Sequence, residues 1–308
     1  MVPVVPIFVI RHSSFVTILG VGVRIGLLHT RLRIEERRLS EALTARGAEV
    51  VPLPESAVAF DLHGHGYKSL DLVVERCQDY TLAQTALRIL EHLGVPTINR
   101  PSTVDLCGNK ALLMIKLGEA GVPTPHVEIA LSTEAAMAAI ERMGYPVVTK
   151  PLVGGDTQLL ALIEDREAAE AILEHKAMLG TDRHHVYFLQ EHIAKPGRDI
   201  RVLVIGEEPL AAEYRQSSDW VTSRDRRTPY IPCPLTPEIA DLARRAARAF
   251  GGGVFEVDLL ESSRGLLVNE VGTINAFRPF ETAGVDVAGP IADYIMEVAS
   301  ALPDHGGR

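Results

Sequence analysis

The sequence has few cysteines, no excess of positive charge and no hydrophobic segment long enough to cross a membrane. Its three cysteines, Cys77, Cys107 and Cys233, lie far apart, so neither a CxxC metal knuckle nor a disulfide framework is indicated. The formal net charge of −9 argues against nucleic acids or anionic membranes as partners, because binding to them needs a basic face. We therefore predict a cytoplasmic protein with reduced thiols.

The first 22 residues are apolar but lack the features of a membrane span or a secretory signal. Arg11 and His12 interrupt the apolar run before it reaches the roughly 20 residues that cross a bilayer. A basic start and a small-residue cleavage site are both missing. We interpret residues 1–22 as a disordered leader or a mis-assigned start, with a membrane-surface anchor as the alternative.

The chain also lacks a Gly-x-Gly-x-x-Gly fingerprint, so it offers no case for a dinucleotide site. Strands and helices alternate from residue 23 onward. Such alternation predicts a small doubly wound parallel sheet, which we assign to an N-terminal domain of residues 23–98. Strands are predicted at 23–28, 48–53, 71–77 and 95–100, and helices at 34–46 and 81–93.

Two further lobes are predicted, at residues 99–182 and 183–308, which makes the whole chain α/β with α+β character in this part. A single helix is expected from Ser102-Thr103 to about Ala120. Further helices are expected after Ser132, Asp165 and Thr236, whose side chains can cap them. Strands of a more antiparallel sheet are predicted at 185–193, 199–206, 209–216, 253–261 and 265–271.

Acidic residues in the last two strands indicate a cation site. If the turn between these strands is centred on Ser263, Asp258 faces Asn269 or Glu270, and Glu256 shares its side of the sheet. Carboxylates in apolar strands repel one another unless a cation lies between them. Magnesium takes a few carboxylates together with phosphate oxygens, which suits a nucleotide site. The alternative is an outward-facing pair on a half-exposed sheet.

Basic residues at strand ends suit an anionic substrate. Lys150 ends the apolar strand PVVTK directly before a glycine turn, where it can hold a nucleotide phosphate. Arg198 and Arg201 belong to the segment GRDIR, and Arg215 closes AAEYR. A guanidinium there suits a carboxylate or a transferring phosphoryl group. A lysine or arginine that only reaches solvent is the alternative for each one alone.

Longer segments carry a resemblance that covers the chain from about Val23 to Ala301. They are ERC at 75–77, NRPSTVDLCGNK at 99–110, YPVVTKP at 145–151, LQEHIAKPGRDIRVLVIGE at 189–207, CPLT at 233–236 and GGGVFEVDLLESSRGLLVNEV at 251–271. In this order they resemble the LysX/RimK family of ATP-grasp ligases, and within it the LysX branch. The resemblance implies a two-lobed ATP-grasp fold behind the N-terminal domain.

The resemblance also implies a reaction. An enzyme of this kind uses ATP and Mg²⁺ to phosphorylate the C-terminal glutamate of a small acidic carrier protein, LysW. The amino group of glutamate or 2-aminoadipate then attacks, in lysine, arginine or specialised-metabolite biosynthesis. Relatives of this kind are homo-oligomers, either dimers or tetramers. Two alternatives stay open: a RimK-like addition of glutamate to a ribosomal-protein tail, and a nucleotide-binding regulatory subunit with weakened catalysis.

By motif, the resemblance assigns a role to each of fourteen positions. They are Lys110, Lys150, Gly154, Gly155 and Asp199 for the cofactor ATP, Gln190, Glu191, His192 and Ile193 for its adenine hinge, Arg201 and Arg215 for catalysis, and Asp258, Glu270 and Asn275 for the metal.

The sequence departs from the family pattern at four places. Residues 154–161 read GGDTQLLA, where the family has an arginine-containing loop. Asn109 stands where an acid is usual, and Gly272 stands where an asparagine is usual. Asn275 could supply the missing amide oxygen if its loop is rearranged. The basic segment Arg224–Arg227 is a candidate docking site for the acidic carrier, with a solvated loop as the alternative.

Overall fold

Three β-sheets organise the part of the chain that the structure, a computed structural model, describes. The described residues are 22–63, 66–154, 159–179, 185–217, 219–221, 231–273 and 276–302. Residues 1–21 of the predicted leader lie outside these ranges. Within them, no helix is both long and apolar enough to cross a lipid bilayer.

The N-terminal sheet is parallel and doubly wound, as predicted. Its strands have the order β2-β1-β3-β4, and α1 and α2 cover opposite faces. Successive side chains of β1 divide between these faces, so Leu27 packs with Leu39 of α1 and Leu28 packs with Leu90 of α2. The elements are β1 Arg24–His29, α1 Ile34–Ala45, β2 Glu49–Pro54, a 3₁₀ turn Glu55–Ala57, β3 Leu72–Arg76, α2 Tyr80–His92 and β4 Thr97–Ile98.

The central sheet has four antiparallel strands in the order β5-β8-β6-β7. The helix caps predicted beside it are confirmed: Ala135 donates to Ser132 Oγ at 3.1 Å, and Ala168 donates to Asp165 Oδ1 at 2.8 Å. Its last strand begins at Tyr187, so this sheet extends past the lobe boundary that the sequence placed after residue 182. The elements are β5 Val127–Ala130, α5 Thr133–Met143, β6 Val147–Lys150, β7 Ala161–Ile163, α6 Arg166–Leu179 and β8 Tyr187–Glu191.

The C-terminal sheet has five antiparallel strands in the order β11-β10-β9-β12-β13. One face packs on α7, through Val202 and Ala243 for example, and on the helix Lys110–Glu119, which is α4. The opposite face packs on α9 through Leu203 and then becomes polar toward the N-terminal sheet. The elements are β9 Arg198–Gly206, β10 Glu208–Gln216, β11 Ile231–Cys233, α7 Pro237–Ala249, β12 Gly253–Ser262, β13 Gly265–Thr273, α8 Arg278–Thr282 and α9 Ala288–Ala301.

The single helix predicted from Ser102-Thr103 to about Ala120 is wrong. The chain forms α3, Pro101–Gly108, and α4, Lys110–Glu119, with Asn109 extended between them. Asn109 caps α4 by accepting hydrogen bonds from Ala111 and Leu112 at 3.1 and 3.3 Å. Thr103 does not cap a helix; its hydroxyl donates to the carbonyl of Phe250 at 3.3 Å. The break places Lys110 at the start of a helix.

Asn99 joins the N-terminal sheet to the C-terminal sheet. Its buried amide donates to the carbonyl of Val254 at 2.9 Å and accepts from the amide of the same residue at 2.7 Å. Gly253 makes this approach possible, since a Cβ there would lie 2.3 Å from Asn99 Oδ1. The bonds hold the carboxyl end of the N-terminal sheet close to β12.

A buried ionic cluster reinforces the same junction. Glu36 on α1 is fully buried, with Oε1 2.6 Å from Arg33 Nη2 and 3.2 Å from Arg76 Nε. Burial opposes the charged form of Glu36, but the two arginines outweigh it and lower its pKa. The guanidinium of Arg76 also lies over the ring of Phe277, 5.5 Å from its centroid. The cluster therefore links β3 and α1 to the segment that follows β13.

Candidate active site

A cleft of about 2000 Å³ opens where the three sheets meet. Its walls include Glu75 from the N-terminal sheet, Lys150 and Gln190 from the central sheet, and Arg201 and Asp258 from the C-terminal sheet. Pockets that hold one drug-sized molecule have volumes of about 300–1,000 Å³. The cleft therefore has room for a nucleotide and a second substrate together.

One face of the C-terminal sheet carries a row of charged side chains across four strands. Glu213 of β10 lies opposite Arg201 of β9, Arg201 lies opposite Asp258 of β12, and Asp258 lies opposite Glu270 of β13. Partners in register point to the same side of a sheet. Of the two partners predicted for Asp258, Asn269 or Glu270, the structure has Glu270, and Glu256 lies on the same side, two residues along β12.

Two arginines hold Asp258 between them. Arg201 Nε lies 3.1 Å from Oδ1 of Asp258, and Arg215 Nη2 lies 2.7 Å from Oδ2. Each arginine also binds a second carboxylate, Glu256 at 3.0 Å for Arg201 and Asp199 at 2.7 Å for Arg215. Burial would raise the pKa of Asp258, but the arginines outweigh it and lower that pKa to about 2. Asp258 is thus an anion at all physiological pH values.

Two other carboxylates of this face ionise less readily. Burial raises the pKa of Glu213 to about 7 and also raises the pKa of Glu256, although Arg201 opposes both shifts. The face holds more carboxylates than its arginines neutralise. A divalent cation bound beside them would favour their charged forms.

Lys150 lies at the opposite wall and bridges the central and C-terminal sheets. Its Nζ donates to Gln190 Oε1 at 2.9 Å and to Asn269 Oδ1 at 3.1 Å. Gln190 Nε2 also donates to Asn269 Oδ1, at 3.2 Å. Burial is the main reason that the pKa of Lys150 falls to about 8. Because its partners are neutral amides, the ammonium charge remains available to an anion in the cleft.

Lys110 is the second buried lysine of the cleft. Its Nζ donates to the carbonyl oxygen of Gly154 at 2.5 Å and lies 3.7 Å from Oε1 of Glu270. The lysine thereby connects the start of α4 with the glycine turn after β6 and with the acidic end of the charged row. Two lysines, two arginines and facing carboxylates in one cleft suit a polyanion that carries a divalent cation.

Two domain families match the chain in the order that the fold displays. Residues 107–295 match the RimK-like ATP-grasp domain, and residues 25–106 match the LysX preATP-grasp domain. The chain belongs to the RimK-like ATP-grasp family. It is therefore an ATP-grasp ligase, of a family that uses ATP to join a carboxylate to an amine, and the sequence-based assignment of fold and family is confirmed.

Named relatives of this RimK-like ATP-grasp protein are similar over nearly their whole length. It is 30% identical to the glutamate–LysW ligase ArgX of Sulfolobus acidocaldarius, over 88% of this chain and 98% of that protein. It is 29% identical to the alpha-aminoadipate–LysW ligase LysX of Sulfurisphaera tokodaii, over 82% and 91%. The crystal structure of a RimK domain ATP-grasp protein from Sphaerobacter thermophilus superposes with a TM-score of 0.77, at 33% identity over 88% and 98%.

Asp258 and Glu270 fit a magnesium ion that is shared with substrate phosphates. Magnesium is usually held by one or two carboxylates together with phosphate oxygens rather than by a protein-only cage. Among the described residues, no three or more His, Cys, Asp or Glu side chains gather as a metal site. Each oxygen of Asp258 has a second lone pair in addition to the one that faces an arginine. Asn275, the predicted third ligand, lies outside the described residues.

The predicted adenine hinge divides into two groups of residues. Gln190, His192 and Ile193 line the cleft, although the amide of Gln190 is bonded to Lys150 and Asn269. Glu191 instead accepts from the amide of His126 at 2.7 Å and binds the guanidinium of Arg264. This acid therefore connects the central sheet to the turn between β12 and β13.

The glycine turn and the loops near it are described in part. Gly154 lines the cleft with a φ of +97°, a conformation that favours glycine. Gly155, which was predicted to contact ATP, and the candidate docking segment Arg224–Arg227 lie outside the described residues. Asp199 lines the cleft, but its carboxylate binds Arg215 at 2.7 Å.

Lys195, Trp220 and Glu75 are among the cleft residues to which sequence reasoning gave no role. Lys195 Nζ lies 3.7 Å from Asp199 Oδ2 and is largely buried, which lowers its pKa. Its position four residues before Asp199 was an available signal, since both belong to the segment KPGRD. Glu75 belongs to the segment ERC, which carried the resemblance but indicated no role, and Trp220 offered no local signal, because only the tertiary fold brings it to the cleft.

We expect ATP use to weaken above pH 8 because Lys150 loses its charge there. Burial lowers the pKa of Lys150 to about 8, so the ammonium group, which we predict to hold an ATP phosphate, is present below pH 8 and is lost above it. The kcat/KM for ATP should fall about tenfold per pH unit on the alkaline side.

The measurement is the kcat/KM for ATP between pH 6 and pH 10. Lys150→Arg should abolish this decline, since arginine does not titrate in the range. Lys116→Arg, at an exposed lysine paired with Glu119, should leave it unchanged. A wild-type profile that stays level through pH 9 would refute this role of Lys150.

Proposed function

We propose that the protein joins the amino group of an acidic amino acid to the C-terminal glutamate of a small acidic LysW-like carrier protein, through an acyl phosphate made with ATP and Mg²⁺. The names of the relatives ArgX and LysX and the matched preATP-grasp domain support this carrier and substrate class. The observation that carries the proposal is the convergence of Lys110, Lys150, Arg201 and Arg215 on the carboxylate pair Asp258 and Glu270 in one cleft.

The first step transfers a phosphoryl group. A carboxylate oxygen of the carrier's last glutamate forms a bond to the γ-phosphorus of ATP, and ADP leaves. Lys110 and Lys150 hold the phosphates, while Arg201 and Arg215 stabilise charge on the group in transfer. Magnesium, when bound, neutralises phosphate charge. The protein thus contributes position and electrostatics rather than a covalent intermediate.

The second step forms the C–N bond. The amine nitrogen attacks the acyl carbon, the bond from that carbon to the phosphate oxygen breaks, and inorganic phosphate leaves. The products are ADP, phosphate and an isopeptide. Arg201 and Arg215 face the same carboxylate from two strands, so they are placed to hold the acyl phosphate during this attack.

Intact-mass analysis of the carrier tests the function directly. The full-length protein is incubated with ATP, MgCl₂, a recombinant LysW-like carrier and either glutamate or 2-aminoadipate. We expect the carrier mass to rise by one amino-acid residue for one of the two, with one ADP released per carrier modified. A carrier that lacks its C-terminal glutamate is the matched control and should stay unmodified.

Two results would contradict the proposal. Modification of a ribosomal-protein tail by glutamate, with the carrier untouched, would indicate a RimK-like acceptor. Tight ATP binding without ADP release or any mass change would indicate a regulatory nucleotide-binding protein. Gly272, in place of the asparagine that is usual in the family, makes this second result worth testing.

We further propose that the protein works in the cytoplasm as a homodimer or homotetramer, as its sequence predicts. The cytoplasm supplies ATP and magnesium. Its reducing environment also suits three free cysteines, Cys77, Cys107 and Cys233. Multi-angle light scattering of the purified protein measures the oligomeric state, and a monomer at micromolar concentration would contradict the second part.

A further inference from the structure

Glu75 lies at the point where the strand order of the N-terminal sheet reverses. The strand order β2-β1-β3-β4 places β2 on one side of β1 and β3 on the other, so the connections diverge between β1 and β3. In open parallel sheets, ligands bind outside the carboxyl ends of the strands at such a point. Glu75 is the penultimate residue of β3, in register with Leu28 of β1.

This edge of the N-terminal sheet belongs to the same cleft as the nucleotide-binding groups. Glu75, Cys77 and Gln78 line that cleft together with Asp258 and Glu270. The residues assigned to ATP come from the central and C-terminal sheets, the start of α4 and the glycine turn after β6. None of them belongs to the N-terminal sheet, so its edge is the part of the cleft wall that remains for a second substrate. A second substrate bound there would face the acyl phosphate.

The carboxylate of Glu75 is buried without an ion-pair partner among the described residues. It is 8% exposed, and its hydrogen-bond partners there are the backbone amide and the thiol of Cys77. Arg76 points to the other face of the strand, where its guanidinium binds Glu36. A buried carboxylate with no cation beside it is unfavourable, and a cationic group of a ligand in the cleft would compensate.

From this geometry we infer that Glu75 binds the ammonium group of the incoming amino acid and takes one of its protons before the amine attacks. The inference rests on the proposed function and names the residue that recognises the amine. One proton passes to the carboxylate, the nitrogen bonds to the acyl carbon, and the departing phosphate carries the second proton away. An α-amino acid fits better than a metal ion, because Asp79, the next acid along the chain that lines the cleft, is engaged as the cap of α2, where its Oδ1 accepts a hydrogen bond from the amide of Leu82.

The ionisation of Glu75 suits this exchange. Burial raises the pKa of Glu75 to about 7, against the opposing effects of the Cys77 amide and of Arg76. The other ionisable groups beside it are the thiol of Cys77, kept neutral by burial, and Glu55, which is hydrogen bonded to that thiol. A general base is most effective when its pKa lies near the working pH. The carboxylate form increases as pH rises through 7, so amino-acid binding should strengthen over the same range.

Glu75→Gln tests the inference in the full-length protein with carrier, ATP and magnesium. We expect kcat/KM for the amino acid to fall by about 10²-fold or more, since a base and an ammonium partner are lost together. The KM for ATP should not change, nor should carrier-dependent ADP release in the absence of amino acid. In the wild type, kcat/KM for the amino acid should rise with pH through about 7, and the variant should lose this rise.

A pair of ligands isolates the contact to the amine. Glutarate, which is glutamate without its amino group, should inhibit the wild type and Glu75→Gln equally, whereas glutamate should bind the variant more weakly. Glu49→Gln is the matched control, because Glu49 begins β2 at the opposite edge of the same sheet and pairs with Arg24 on the surface. It should behave as the wild type in every assay.

The outcomes separate this inference from the proposed function. Unchanged amino-acid kinetics and an unchanged pH profile in Glu75→Gln overturn the role of Glu75 while ligation by the wild type stands. A wild type that modifies no carrier overturns the function itself. If Glu75→Gln does not fold, Glu75→Asp decides: a raised amino-acid KM with normal ADP release supports the inference, and wild-type kinetics refute it.

Discussion

Asp258→Asn should lower the kcat for ADP release by about 10³-fold, the scale seen when a preorganised electrostatic group is lost from an active site. Asp258 faces Glu270 across β12 and β13 and is held by Arg201 and Arg215, so its charge orients the guanidinium pair and would contribute to the proposed cation site. Asparagine keeps the shape but removes the charge. The measurement is carrier-dependent ADP release at saturating ATP and magnesium, together with a thermal melt to confirm folding.

Asp293→Asn is the matched control for this variant. Asp293 also binds an arginine, with Arg46 Nε 2.6 Å from Oδ1, but it lies exposed on α9 away from the cleft. Its ADP release should equal that of the wild type. Near-normal ADP release by a folded Asp258→Asn variant would remove Asp258 from the cation site and with it the proposed arrangement of the phosphates.

Glu36→Ala should lower the free energy of unfolding by about 3–5 kcal/mol, the cost of removing one partner from a buried ion pair. Glu36 is fully buried and contacts both Arg33 and Arg76. Without it, the buried guanidinium of Arg76 loses the carboxylate that its Nε contacts. Urea unfolding followed by circular dichroism measures the change.

Glu91→Ala is the control, since it removes a pair with the same spacing at the surface. Glu91 lies three residues after Arg88, as Glu36 lies three residues after Arg33, but both members of this second pair are more than half exposed. The free energy of unfolding of Glu91→Ala should fall by less than about 1 kcal/mol. Equal effects of the two substitutions would show that burial adds nothing to the cluster around Glu36.

Local sequence signals were sufficient for much of the fold. Ser132, Asp165 and Thr236 each cap the helix that they were expected to cap, because a short polar side chain can reach a backbone amide two or three residues ahead. The sequence placed Asp258 opposite Asn269 or Glu270, and an irregularity between Asp258 and Leu259 selects Glu270, because it shifts by one residue the register that begins at the turn pair Ser262 and Gly265.

Long-range contacts explain what the sequence did not reveal. At the helix break, the backbone of Asn109 pairs with that of Val153, far along the chain. The spacing of apolar residues contains no sign of this contact, so it predicted one continuous helix. The assignment of β8 to the central sheet depends on pairing with β5 and β6 rather than with the next strand, β9. Neither contact changes the local pattern of apolar residues.

The same limit applies to the site. The motif predicted that Gln190 is a hinge residue, but the hydrogen bonds of its amide to Lys150 and Asn269 depend on how the two sheets pack together. Glu75 was noted as part of a motif, and its role could not be considered until the cleft was seen to reach the N-terminal sheet. Motifs therefore predicted which segments form the site, while tertiary structure determined the partner of each side chain.

Trp220 is the sole tryptophan of the chain, and it lies in the wall of the cleft. Indole emission depends on the polarity of its surroundings. When tryptophan is excited selectively, all of the emission therefore comes from this one residue in the cleft wall. The protein thus carries an intrinsic fluorophore at the place where nucleotide, amino acid and carrier would meet. Titrations and stopped-flow mixing can follow the arrival of each one without an attached dye.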